Sequence, residues 1–178
     1  MSRLSLLRGA ALAILAGLST GCQSEGPSLG ALPQTGLPEA RACFLGQRTD
    51  TARPTMVSVT LEVTNTDRQR QAGLMQRPDL HDSAGMLFEY GEQRPASSGF
   101  WMYQTLIPLD IAYLDRQRTI RSIRTMTPCD QANGLRCPTY ASAEPYWSAV
   151  EMNAGFFRRH DLGVGDRLLL NQPCPNDG

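Results

Sequence analysis

The amino-acid sequence predicts a mainly β protein: a single antiparallel β-sandwich or small open barrel with one or two short helices. Three observations lead there. Val57, Val59, Leu61 and Val63 alternate with Ser58, Thr60, Glu62 and Thr64, the period of two that half-buries a strand. The later apolar runs are short and separated by Gly, Pro and Ser clusters, which punctuate strands and break helices. Residues 73–110 interleave Met75, Met86 and Met102 with Phe88, Phe100 and Trp101, and soft sulfur against rings is the composition of a core.

The amino terminus reads as an export signal. Met1-Ser2-Arg3 and Arg8 precede an apolar run over residues 9–18, and Ser19-Thr20-Gly21 leads into Cys22. A charged start, a short apolar run and small residues describe a secretory signal over residues 1–21, too short to span a bilayer as a mature helix. With cysteine directly after Gly21, the pattern resembles a lipoprotein signal in which Cys22 is the lipidated first residue; ordinary cleavage near Gly21 is the alternative. Gln23 rather than aspartate after that cysteine fits transfer to the outer membrane. The expected address is therefore the cell envelope, as an outer-membrane lipoprotein facing the periplasm and touching the membrane through Cys22. Residues 22–42, rich in Gly, Pro, Ser and Ala, read as a flexible tether with a mean reach of about 25 Å. Residues 43–174 remain as one β domain.

Within that domain the alternating strand ends at Asn65. Thr66 followed by Gln69 is a capping-box pattern, which predicts a short helix over residues 67–72 closed by Gly73. Residues 85–89, 99–103 and 109–114 read as short strands, and Asp115-Arg116-Gln117-Arg118 reverses the chain into a strand over residues 120–126. Residues 127–145, with prolines at 128, 138 and 145, read as irregular. A strand over residues 147–153, a helical turn over 156–161 and a last strand over 167–171 complete the domain.

Charge and cysteine usage narrow the function classes. Seventeen basic and 17 acidic residues balance, with no basic tract, so there is no electrostatic footprint for nucleic acid. Every basic residue other than histidine is arginine; the missing lysine excludes Schiff-base chemistry and a Walker-type phosphate loop. Besides Cys22 there are Cys43, Cys129, Cys137 and Cys174, and an even count in an exported chain reads as disulfides. Four cysteines allow three pairings. The turn-rich residues 130–136 favour Cys129 with Cys137, which leaves Cys43 with Cys174 to fasten the two ends of the domain. No Cys-x-x-Cys pair or neighbouring histidine suggests a metal instead.

Candidate chemistry is sparse. The two histidines, His81 and His160, lie in polar turn text and in no nucleophile motif. Asp110 and Glu151 stand among apolar neighbours and are candidates for the acid and base of an envelope hydrolase, provided they share a cleft. The plainer reading has Asp110 accept backbone or Thr105 hydrogen bonds and pair with Arg77, and Glu151 pair with another arginine. Met75, Met86, Met102, Met126 and Met152 with Trp101 raise a lower alternative, monovalent copper on thioether sulfur, although gap-filling core is their ordinary role. No cofactor or metal is called for. Trp101 and Tyr103, on one face of their strand, and Tyr140 suggest an aromatic platform for sugar or peptide.

Several of these motifs occur together in a known order. Gly73-Leu74-Met75-x-Arg77, Gly85-Met86-Leu87-Phe88, Phe100-Trp101-Met102-x-x-Thr105-x-x-Pro108-Leu109-Asp110, and later Tyr140, Glu151, Gly155 and Gly165-Asp166 resemble domain-of-unknown-function family 192 over about residues 56–170. Members usually carry Lys-Asn where this chain has Tyr103-Gln104. The resemblance implies a mostly β fold and brings no established activity. The functional expectation is thus a lipid-anchored envelope binding or accessory domain that performs no reaction, with Arg77, Trp101, Thr105, Asp110, Tyr140 and Glu151 as its ligand surface. The carboxylate hydrolase and the copper site are its rivals.

Overall fold

A computed structural model of the chain describes residues 32–47, 55–129 and 134–172, together with Cys174. The signal segment, Cys22, Gln23 and the first part of the tether lie outside the described residues. The strands are β1 (Glu39–Leu45), β2 (Met56–Thr64), β3 (Ala84–Arg94), β4 (Gly99–Trp101), β5 (Leu109–Leu114), β6 (Ile120–Met126), β7 (Thr139–Ala141), β8 (Tyr146–Asn153) and β9 (Arg167–Leu170). The helices are α1 (Asp67–Ala72) and α2 (Phe156–Arg159).

Seven strands form one sheet in the order β6-β5-β8-β3-β2-β1-β9, and β4 with β7 forms a second, smaller sheet. Neighbours run antiparallel with one exception, the parallel pair of β2 with β3, in register from Thr60 with Ala84 to Thr64 with Phe88. Parallel neighbours need a crossover, and α1 with its following loop supplies it. The capping box is present: Thr66 Oγ1 accepts from the Gln69 N–H at 3.3 Å, and Gln69 Oε1 accepts from the Thr66 N–H at 3.1 Å. Gly73 ends α1 at φ +47°, ψ −136°, where a side chain is disfavoured.

The sheet curls into a half-barrel whose two outermost strands touch at one end. Thr119 bridges Arg167, the Ile120 N–H donates to the Asp166 carbonyl at 2.8 Å, and the Leu168 N–H donates to Arg118 at 3.0 Å. Buried Asp166 ties this end together by accepting from the Gln47 and Gly163 N–H groups, each at 2.7 Å. Inside the curl, Ala42, Phe44, Val59, Leu61, Leu87, Ala112, Leu114, Val150 and Leu168 form one core, which α2 fills with Phe156 and Phe157. Phe44 meets those two rings at 5.8 and 5.5 Å. On the other face of the sheet, Met86, Phe88, Ile111, Tyr113 and Ala149 form a second core, covered by Leu74, Met102 and Phe100.

Both disulfides join the pairs expected from the sequence, with Cα separations of 5.1 Å for Cys43–Cys174 and 5.7 Å for Cys129–Cys137. Two strands fall where composition suggested none. β1 begins at Glu39, inside the residues that read as tether, because Ala40 and Ala42 are small core residues of a strand held between β2 and β9. β7 lies in the proline-rich stretch and exists by pairing with β4. β1 alternates only through small residues, with Ala40 and Ala42 buried between exposed Glu39 and Arg41, and the three residues of β7 are too few to show a period.

Candidate functional site

The motif residues gather at the loops that cover the outer core. The loop after α1 and the loop after β4 are joined where the Gln76 N–H donates to the Gln104 carbonyl at 2.9 Å. Both residues have left-handed backbone, φ 62° and 56°, strain that side chains bear only where surrounding contacts impose it. The Gln104 amide nitrogen donates to the Tyr103 hydroxyl at 3.1 Å, while its buried Oε1 has no hydrogen-bond partner among the described residues. Thr105 is buried in the same loop, its N–H donating to the Met102 carbonyl at 3.1 Å.

Arg77 points under these loops to Glu62, not to Asp110. Its Nη1 and Nη2 meet Glu62 Oε1 and Oε2 at 2.5 and 2.7 Å, and Nη2 also donates to the Gln34 carbonyl at 2.8 Å. Gln34 in turn donates to the carbonyls of Gln69 and Gly73 at 3.0 and 2.8 Å. The segment before β1 therefore packs onto the loop after α1. Glu62 was legible only as the one charge in an alternating strand, and Gln34 carried no signal.

Asp110 and Glu151 do not face each other. In the β5–β8 register Met152 stands opposite Asp110, and Ile111 opposite Glu151. Side chains alternate along a strand and partners share a face, so Asp110 looks toward the half-barrel and Glu151 into the outer core. The carboxylate pair of the hydrolase reading thus straddles the sheet. Asp110 accepts from the Thr125 hydroxyl at 2.7 Å, where the sequence pointed to backbone groups or Thr105 as donors. Glu151 lies in register between Met86 and Ile111. Among the described residues no arginine pairs with it, and burial pushes its carboxyl up to about 8, so it is mainly protonated at neutral pH.

The aromatic residues divide by face as strand alternation requires. Phe100 is turned inward, edge-on to Phe88 at 4.8 Å and to Tyr113 at 5.8 Å, and Met102 is buried in the same core. Trp101 and Tyr103 lie together, ring centroids 5.5 Å apart, with Trp101 43% exposed. Gly134, at φ +67°, packs so closely beneath them that a Cβ would come within 2.8 Å of the Tyr103 ring and 3.2 Å of Trp101. The Cys129–Cys137 loop thereby braces the pair, and Leu135 beside it is exposed. Tyr140 stands opposite Phe100 on the inward side of the small sheet. Its hydroxyl accepts from the Thr127 N–H at 3.1 Å and its carbonyl accepts from the Tyr113 hydroxyl, so it braces the sheet and does not extend the Trp101 surface. Of the six nominated residues, Trp101 alone presents a large apolar surface to solvent.

The methionines are divided as well. Met86, Met102 and Met126 belong to the outer core and Met152 to the inner one, each among aliphatic and aromatic neighbours.

Comparison with known proteins is consistent with this architecture. The chain is similar to a crystal structure described as a putative transcription regulator from Sinorhizobium meliloti, at 30% identity and a TM-score of 0.66, covering 77% of this chain and 97% of that one. It is also similar to a protein of unknown function from Novosphingobium aromaticivorans, at 26% identity and a TM-score of 0.64, covering 86% of this chain and 99% of that one. No curated protein matches. The profile of DUF192, described as an uncharacterized ACR, matches residues 48–170, more than half of the chain, and on that match the chain belongs to the DUF192 family.

Proposed function

We propose that this chain is a lipid-anchored, non-catalytic binding or accessory domain of the cell envelope, which holds a sugar or peptide against the exposed ring of Trp101. The observation that carries the reading is the half-exposed indole of Trp101, tilted against the buried ring of Tyr103 and braced from below by Gly134, next to the Cys129–Cys137 disulfide. An aromatic face held rigid before a ligand arrives loses little freedom on binding. Attachment through Cys22 at the outer membrane rests on the signal-like residues 1–21 and Gln23, and two disulfides suit an oxidising compartment.

Two measurements test the reading. Envelope material retained by the wild-type domain should be lost with Trp101→Ala and kept with Asp110→Ala, both variants being confirmed as folded; retention by all three, or by none, removes the support. Cys22→Ser should move the protein from the membrane fraction to the soluble periplasmic fraction, and no change would refute the anchor.

A further inference from the structure

Apart from the Trp101 surface, α1 and the far part of β3 border a cleft of about 320 Å³, open to solvent and lined by Asp67, Arg70, Tyr90, Gly91, Glu92 and Arg94. That is the small end of the range for ligand cavities, about 300–1,000 Å³. Its inner wall is aromatic and cationic. The guanidinium carbons of Arg70 and Arg94 lie 5.0 and 5.3 Å from the Tyr90 ring centroid, and Tyr90 meets Tyr146 edge-on at 5.8 Å. Arg70 is held firmly, donating to the Glu89 carbonyl at 2.7 Å and to Asp67 at 2.6 Å. Arg94 meets Glu92 at 3.3 Å and the Ser98 hydroxyl at 3.5 Å and hydrogen-bonds Tyr146, while its buried Nε has no hydrogen-bond partner among the described residues.

The charges are arranged by depth. The arginine side chains are 17% and 35% exposed, whereas their acidic partners Asp67 and Glu92 are 90% and 78% exposed. A bare anion would meet two cations and two carboxylates and gain little from either. A molecule carrying both signs can set its carboxylate on the Arg94 guanidinium and its ammonium among the rim acids, replacing the long Arg94–Glu92 pair and leaving the Arg70–Asp67 pair in place. We propose that this cleft binds a small zwitterion of the amino-acid or short-peptide class, its carboxylate on Arg94 and its ammonium beside Asp67 and Glu92. The shared chemistry is an α-carboxylate and an ammonium held a few ångströms apart.

The test is an NMR titration of the full chain with alanine, alanyl-alanine, acetate and methylammonium, followed at the Gly91 amide. A saturable shift is expected with a zwitterion, at least tenfold tighter than with acetate or methylammonium, and stronger binding of alanine or of alanyl-alanine tells a free amino acid from a peptide. Arg94→Gln should weaken it at least tenfold. Glu92→Gln removes one rim charge from a side chain that is 78% exposed, so the fold is kept while zwitterion binding weakens. If Arg94→Gln unfolds the domain, Glu92→Gln decides. Acetate matching the zwitterions, the absence of any saturable shift, or a folded variant binding like the wild type would overturn the proposal.

Discussion

Arg77 grips Glu62 with both terminal guanidinium nitrogens, at 2.5 and 2.7 Å, and so fixes the loop after α1 to the far half of β2. Both side chains are largely shielded, 15% and 20% exposed, so this pair is screened less than a surface ion pair. Arg77→Ala and Glu62→Ala should each cost roughly 2–3 kcal/mol. Arg77→Lys should restore little, because an ammonium cannot match both carboxylate oxygens. Denaturant unfolding of the singles and the double mutant checks this: a coupling energy near zero would mean that the pair does not act as a unit.

Glu151 makes stability fall as pH rises. Its folded carboxyl is pushed up to about 8 from an ordinary value of 4.5, so between these pH values the folded state binds more protons than the unfolded state. The stabilising contribution is complete below about pH 4.5, declines as pH climbs toward 8, and is gone above it. The loss amounts to several kcal/mol, since a tenfold change in proton affinity is worth about 1.4 kcal/mol. Glu151→Gln, which imitates the protonated group, should be close to wild type at pH 5 and clearly more stable at pH 8.5. Parallel melting curves across that range would contradict the buried, uncompensated carboxyl.

Gly85 has no room for a methyl group. A Cβ there would lie 2.3 Å from Met152 Sδ and 2.5 Å from the Glu151 carbonyl oxygen, and the latter is backbone that cannot swing aside. Gly85→Ala should therefore cost about 2–3 kcal/mol through overpacking. Gly91→Ala, with nothing within 4 Å, should be nearly neutral. Thermal midpoints of the two variants compare them directly.

The disulfides should separate by effect. Cys43–Cys174 closes a span of 131 residues and Cys129–Cys137 one of 8. Chain-entropy estimates put their upper contributions at about 5 and about 2.5 kcal/mol. Replacing the long-range pair by alanine should lower the unfolding midpoint most. Replacing the short pair should cost less stability yet loosen the Trp101 and Tyr103 surface, visible as a more mobile, more solvent-exposed indole in fluorescence quenching.

Local pattern carried much of this molecule. The alternation of residues 57–63 reappears as β2, the Thr66 and Gln69 signature as the cap of α1, and Asp115 to Arg118 as the turn between β5 and β6. These features depend on backbone periods and side chains a few residues apart. The pairing of the four cysteines also followed from spacing.

Apart from the cysteine pairing, the linear text left open the relations between distant residues. That Arg77 takes Glu62, that Asp110 takes Thr125, and that Asp110 and Glu151 occupy opposite faces depend on strand order and register. A shift of one residue in pairing turns each side chain to the other face. The small strands β1 and β7, the parallel match of β2 with β3, and the cleft around Tyr90 have the same origin. Each comes from partners brought together by the curl of the sheet, and a hydrophobic period says which residues are buried without saying against what.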